Sequence, residues 1–224
     1  MTLLAVTFLM TAALAQAAAP PVPAPPALGA NSYILLDFNS GRVLVDHNAD
    51  LRVEPASITK LMTAYVVFAE LKEGKLSLEE LVPVSEKAWR TGGSRMFIDP
   101  KMTPSVEDLV RGMVIQSGND ASVALAEYVA GSEDAFAELM NHYADLLGMS
   151  STSFRNSTGL PDPDHYTTAR DVAALSAATI RDFPEFYAWY AEKEFTFNNI
   201  RQHNRNTLLW RDPAIDGLKT GHTE

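Results

Sequence analysis

Ser57 and Lys60 stand three residues apart in EPASITKLM, residues 54–62, and the pair has the makings of a nucleophile beside its base. A serine hydroxyl is a poor nucleophile until a neighbouring group takes its proton. A lysine can take that proton only as a neutral amine, so its pKa must fall from about 10.4 toward about 7 or 8, or roughly 4 kcal/mol. Burial supplies shifts of that size, and a second cation close by adds to them. Lys219, in Lys219-Thr220-Gly221, is the candidate for that cation, and Ser117-Gly118-Asn119 brings a further hydroxyl and an amide. Written S-x-x-K, S-x-N and K-T-G, the three motifs each occur once and in that order. Alone they are weak: S-x-x-K is expected about once by chance in such a chain, and K-T-G in roughly one chain in twenty. Ordered and placed on suitable elements, they leave little room for coincidence.

The elements that must carry them follow from local pattern. Pro55 suits a first helical turn, where its missing N–H would have no partner. Ile58, Leu61, Met62, Tyr65 and Val66 then recur on one helical face, predicting a helix over 56–73 that stops at Gly74. Ser57 and Lys60 are neighbours on its first turns. Upstream, SYILLDF and RVLVDH flank Asn39-Ser40-Gly41 and read as a β-hairpin. Pro83 forbids a long helix in SLEELVPVSEKAW, and TGGSRMFIDPKM reads as a loop. Thr103-Pro104 looks like the cap and first position of a helix reaching about Gln116, so Ser117-Gly118-Asn119 falls between two helices. DASVALAEYVAG, SEDAFAELMNHYADLLG and TARDVAALSAATIRDF read as helices, the last opened by a capping-box-like Thr168…Asp171, and PEFYAWYAE as a shorter one. EFTFNN and GLKTGHTE return to strand-like sequence, which would put Lys219 on a terminal strand. A hairpin first, helices in the middle and a strand last predicts an α/β fold with one antiparallel sheet built from both chain ends.

Bulk properties narrow the function. The 224-residue chain carries a formal charge of −10, which argues against nucleic acid, and has no cysteine for a disulfide, a thiolate nucleophile or a zinc–thiolate site. Its five histidines are scattered, with no H-E-x-x-H, so neither metal nor cofactor is expected. Residues 1–19 hold no charge and pass from an apolar run into Ala15-Gln16-Ala17, the pattern of an exported protein's signal peptide, although no basic residue precedes the run. Residues 20–30 form a Pro/Ala-rich linker, leaving 31–224 as the catalytic domain. The last strand ends without turn or partner and reads as that of a truncated domain.

The motif set is that of penicillin-binding proteins and class A β-lactamases. EPASITKLMTAYVV, LVRGMVIQSGNDASVALAE, FRNSTGLPDPDHYTTARDVA, NRNTLLW and IDGLKTGHT resemble more closely the D-alanyl-D-alanine carboxypeptidases, the low-molecular-mass penicillin-binding proteins, from about Asn31 onward. The resemblance implies the β-lactamase/transpeptidase-like fold, with further strands beyond Glu224, and an acyl-enzyme mechanism on peptidoglycan pentapeptide stems, with β-lactams as covalent inhibitors. It implies a location in the periplasm or on the outer face of the cytoplasmic membrane, membrane contact being left to a C-terminal anchor that this chain lacks. By the same resemblance Ser57 is the nucleophile, Lys60 the base and Ser117 the proton relay, while Asn119 holds the substrate's peptide or Lys60. Lys219 would keep its charge and attract the terminal carboxylate, with Thr220, Gly221 and the His222 backbone completing the substrate site and the oxyanion donors being the N–H groups of Ser57 and His222. Carboxypeptidase and endopeptidase are not separable here, since both cut after D-alanine. A class A β-lactamase is disfavoured: no acidic residue lies between Asp145 and Asp162 to activate a water. A penicillin sensor that acylates without turnover remains the non-enzyme alternative. Asn156 and Gly159 are explained by a capped turn as well as by the family loop, Asn204 and Asn206 by backbone bonds behind the site. Trp89, Trp189 and Trp210 read as core, and Glu133 as a solvated or capping charge.

Overall fold

In the computed structural model, residues 25–222 are described; the expected signal peptide, the start of the expected linker, and Thr223 and Glu224 lie outside them. The centre of the molecule is α1 (Lys60–Lys72), whose residues are all buried from Lys60 to Ala69. A helix covered on every side is a central one. Around it lie α3 (Val106–Ile115), α4 (Asn119–Ala130), α5 (Glu133–Leu146) and α6 (Ala169–Asp182). Phe68, Leu109, Met113, Leu125, Phe136 and Met140 fill the space between them without exposure.

Three of these four helices, α3, α5 and α6, begin where a side chain satisfies a first free N–H group, whereas α4 starts after Gly118. Ser132 and Thr168 accept from the backbone three residues on, and Ser105 forms a full capping box with Asp108. The cap of α3 is therefore Ser105, two residues later than the Thr103-Pro104 signal suggested, because only Ser105 has an acid three residues on to answer it. The short α2 (Glu86–Arg90) is capped by Ser85, and α7 (Pro184–Tyr187) opens on its proline.

The strands depart from the expected single sheet. β1 (Tyr33–Leu36) pairs antiparallel with β2 (Val43–His47), and β3 (Glu194–Phe197) with β4 (Ile200–His203), as two separate ladders. β4 had no clear strand signal; Asn198 and Asn199, both at positive φ (46° and 60°), turn β3 back on it. Residues 213–222 run without strand pairing, and the predicted terminal strand does not form among the described residues. A strand exists only by bonding a neighbour, and no described strand lies beside this stretch. The tryptophans also differ from expectation. Trp189 packs on Phe68 and Phe186, whereas Trp89 and Trp210 are 38% and 45% exposed. No helix among the described residues is long and apolar enough to cross a membrane.

Candidate active site

Ser57 does not sit in an α-helical turn. Residues Ala56–Thr59 form a 3-10 turn that leads into α1, with Lys60 as the first α-helical residue. The tighter turn still brings i and i+3 together: Lys60 Nζ lies 3.1 Å from Ser57 Oγ. Lys60 is fully buried, and its Nζ also donates to the Thr158 carbonyl at 2.5 Å. Burial above all, and then the charge of Lys219, hold its pKa well below the ordinary lysine value, against a smaller opposing pull from Asp120.

The turn is wedged from outside. Ala56 has φ +48°, a conformation costly for a residue with a side chain. Gly159, at φ +83°, lies so close that a Cβ there would fall 1.7 Å from the Ala56 carbonyl oxygen. Its loop is fastened at several points. Asn156 Oδ1 accepts from the Thr158 and Gly159 N–H groups, a capped turn that also delivers the Thr158 carbonyl to Lys60. Thr63 Oγ1 donates to the Ser157 carbonyl, and the buried Glu133 accepts from the Ser157 N–H and hydroxyl while pairing with Lys87 at 2.8 Å. Glu133 is thus a structural anchor of the loop, not a solvated charge.

His165, buried beside the same turn, accepts the Arg155 N–H at Nδ1 and meets Thr59 Oγ1 at 2.8 Å through Nε2, which fixes Nε2 as the protonated nitrogen. Burial pushes its pKa down to about 4, so it stays neutral.

Ser117 follows α3 at φ +71° and is buried with its hydroxyl unpartnered. Asn119, the first residue of α4, donates Nδ2 to the Gly92 carbonyl at 2.7 Å, and its Oδ1 is buried without a partner. It does not bond Lys60, whose partners are Ser57 and Thr158. The next residue, Asp120, is completely buried and accepts from the N–H groups of Met96, Phe97, Ile98 and Ala121, joining the 92–98 loop to the start of α4. Nothing in its sequence position beyond S-x-N marked that role.

The third motif arrives without a strand. Gly221 packs against the nucleophile turn so closely that a Cβ would lie 3.1 Å from the Pro55 carbonyl and from Ile58. Asn206, which caps the turn at Leu208, donates to the Gly217 carbonyl at 2.9 Å, and Asn204 bonds the backbone of Tyr190 and Glu192. Both asparagines therefore do hold backbone behind the site. Lys219 differs from expectation: burial, and then the charge of Arg205, bring its pKa down to about 7, so it titrates near neutrality instead of holding a fixed charge. Arg205, which has no acidic partner among the described residues, contacts Ser94 Oγ at 3.3 Å beside it.

Ser57, Ser117, Asn119, Thr220, Gly221 and His222 line one cleft of about 780 Å³, with Arg205, Gly93, Ser94 and residues Thr158–Pro161 completing it. Lys60 lies beneath Ser57, and Lys219 is partly buried beside them. No carboxylate lines the cleft among the described residues.

Residues 15–224 match the family described as D-alanyl-D-alanine carboxypeptidase, peptidase S11. The D-alanyl-D-alanine carboxypeptidase DacA of Escherichia coli is 50% identical over 210 residues, covering 91% of this chain and 52% of its own. Penicillin-binding protein 5 from Haemophilus influenzae has a similar structure, with a TM-score of 0.87 and 48% identity over 90% of this chain and 60% of that one. Penicillin-binding protein D2 from Listeria monocytogenes, solved in an ampicillin-bound form, gives a TM-score of 0.80 at 31% identity over 90% of this chain and 82% of that one. The chain spans about half the length of the curated relatives it matches. Its α/β architecture, helical cluster and convergent motifs are those of the low-molecular-mass penicillin-binding proteins, and the chain belongs to the D-alanyl-D-alanine carboxypeptidase family.

Proposed function

We propose that the protein is a serine-type D-Ala-D-Ala carboxypeptidase that removes the terminal D-alanine of peptidoglycan pentapeptide stems through an ester on Ser57. The observation that carries this reading is the buried Lys60 amine, its pKa held low, 3.1 Å from the Ser57 hydroxyl. In its neutral form Lys60 offers a lone pair to Ser57, while the Thr158 carbonyl takes one of its N–H groups and orients it. Ser57 donates its proton to Lys60 as its oxygen attacks the carbonyl of the penultimate D-alanine. The negative oxygen that develops is met by the N–H groups of Ser57 and His222, each such donor contributing roughly 3 kcal/mol. Ser117, whose hydroxyl has no competing partner, relays the proton from Lys60 to the leaving D-alanine nitrogen. Water then repeats the sequence in reverse and frees the stem. Asn119 Oδ1, buried and without a partner, would accept a substrate N–H. Lys219 in its charged form and Arg205 attract the terminal carboxylate, with Thr220 and Gly221 beside them.

The absence of a carboxylate among the residues lining the cleft supports inhibition by β-lactams over their rapid hydrolysis, because no group of the β-lactamase type is placed to activate water on a penicilloyl ester. Residues 31–224 would be the catalytic portion, and the leader-like residues 1–19 support export to the periplasm or the outer face of the cytoplasmic membrane.

The test is labelling of the purified chain with a fluorescent penicillin beside Ser57→Ala, followed by release of D-alanine from a synthetic pentapeptide. Stable label that vanishes in the variant, with D-alanine released, is the expected result. Stable label without D-alanine release would favour a penicillin sensor, and rapidly lost label a β-lactamase. No label at all would overturn the acyl-serine reading.

A further inference from the structure

His165 is a buried polar side chain to which the proposed reaction gives no task. It is not among the residues lining the cleft, and it is 3% exposed. Its imidazole lies between the loop that follows Ser153 and the turn that carries Ser57. Phe154 packs edge-on against it, the ring centroids 5.7 Å apart. Nδ1 accepts the Arg155 N–H at 3.1 Å, which leaves Nε2 as the donor, and Nε2 meets Thr59 Oγ1 at 2.8 Å.

The segment that delivers the ring is itself tied down. The His165 N–H donates to the Asp162 carbonyl, Tyr166 exchanges backbone bonds with Ser153, and Thr167 exchanges them with Val53. Val53 stands two residues before Pro55, where the chain enters the serine turn. A neutral imidazole whose two nitrogens serve different partners has one tautomer and one orientation. His165 is thus a fixed reference point for the turn beside it.

Thr59 is where that reference acts. It lies between Ser57 and Lys60 and is 1% exposed. A threonine in a helical first turn commonly returns its hydroxyl to a carbonyl three or four residues earlier. Here those carbonyls belong to Ala56, strained at φ +48°, and to Pro55. The hydroxyl turns instead to His165, on the side where Gly159 packs: a Cβ on Gly159 would fall 2.8 Å from the same Oγ1. A packed glycine limits the turn in one direction only, whereas a hydrogen bond sets a distance in both.

We propose that His165 is a positioning residue for the nucleophile: by donating to Thr59 it fixes the roll of the 56–59 turn, and with it the approach of Ser57 Oγ to Lys60 Nζ. The inference rests on the reading above, in which Ser57 forms the acyl ester. His165 touches neither substrate nor the reacting atoms and acts through Thr59. Its loss should slow bond formation without weakening the capture of ligand.

Two side chains divide the work of the imidazole. Asparagine places an acceptor oxygen where Nδ1 stands but stops short of Thr59, whereas glutamine carries a donor N–H out to the position of Nε2. The experiment measures penicillin acylation by stopped flow over a range of concentrations, separating the maximal acylation rate constant from the apparent binding constant. It compares the unmodified chain with His165→Gln, His165→Asn, Thr59→Val and the Thr59→Val, His165→Asn double variant, each with its near-UV circular dichroism recorded. His165→Gln should stay within about threefold of the parent rate constant, while His165→Asn and Thr59→Val each lose about tenfold or more, with binding constants within about twofold. The double variant should be no slower than the slower single, because both changes remove one bond. Parent-like acylation by His165→Asn or Thr59→Val, at whatever cost in stability, would overturn the proposal and leave His165 a packing residue. So would His165→Gln as slow as His165→Asn, a loss confined to binding, or losses that multiply in the double variant. Thr59→Val reads the bond from its other end should His165→Asn not fold. A parent chain that takes no label at Ser57 overturns the acyl-serine reading itself, and this proposal with it.

Discussion

Around Ser57 nearly every group has a partner. Lys60 is held between the serine and the Thr158 carbonyl, Thr59 is bonded by His165, and Gly159 presses on Ala56. Across the cleft, residues 217–222 run without a ladder, secured by the Asn206 amide on Gly217, by a Lys219 ammonium turned onto the Thr220 carbonyl, and by the contact of Gly221 with the nucleophile turn. The difference separates two tasks. Nucleophile and base are fixed by a helix start packed in the core, whereas the groups proposed to hold the carboxylate depend on a few contacts. Damage to the first region should appear in the rate of acylation, damage to the second in substrate affinity.

The sharpest way to break that contrast is Gly159→Ala. The new Cβ would strike the Ala56 carbonyl at a position of positive φ, displacing the serine turn. The penicillin acylation rate should fall by about 100-fold or more, since a shift near 1 Å at a reacting group costs about that much. Acylation within threefold of the parent, measured by stopped flow on a chain with unchanged circular dichroism, would show that the wedge does not set the turn.

Next in size is a pH effect confined to the other region. Lys219 loses its proton as pH rises through about 7, so KM for a carboxylate-ended stem should rise several-fold, up to about tenfold per unit, between pH 6 and pH 8. Lys219→Arg, whose guanidinium stays charged, should flatten that rise. The stability effect has a defined sign. The folded pKa lies below the unfolded value near 10.5, so the unfolded chain binds the extra proton between them and stability climbs with pH from about 7 to 10.5. Lys219→Met should therefore stabilise most below pH 7, a gain that fades toward pH 10.5 in chemical denaturation.

Asn206→Ala removes both the tether to Gly217 and the cap at Leu208. The loss should be about 1–2 kcal/mol, with KM raised and the acylation rate constant nearly unchanged. The smallest effect belongs to neither region: Glu86→Ala breaks an exposed pair with Arg90 and should change stability by no more than about 0.5 kcal/mol.

The sequence was most informative where function rests on side-chain identity at short range. Ser57, Lys60, Ser117 and Asn119 are set by local helix starts, so type and spacing sufficed to name them as a group. The Thr158 carbonyl, a backbone group, carries no signature in residue type. Glu133 looks like any first-turn acid until Ser157, 24 residues later, folds onto it. The ladderless course of residues 213–222 was equally invisible, because a strand-like composition reports propensity and not the presence of a neighbour. Arg205 lay in view within NRNTLLW, but only the third dimension put it beside Lys219.

Asp120 also bears on how the cleft can move. One carboxylate clamps three consecutive amides of the 92–98 loop to the first turn of α4. The Gly93–Ser94 side of the cleft and the Ser117–Asn119 side therefore travel as a single rigid body. Any breathing that admits a bulky substrate must be absorbed elsewhere, along residues 217–222 opposite, because Asn119 ties the Gly92 carbonyl to the same start of α4. In hydrogen exchange, the amides of Met96, Phe97 and Ile98 should open together as one cooperative unit, while the glycines before them exchange independently.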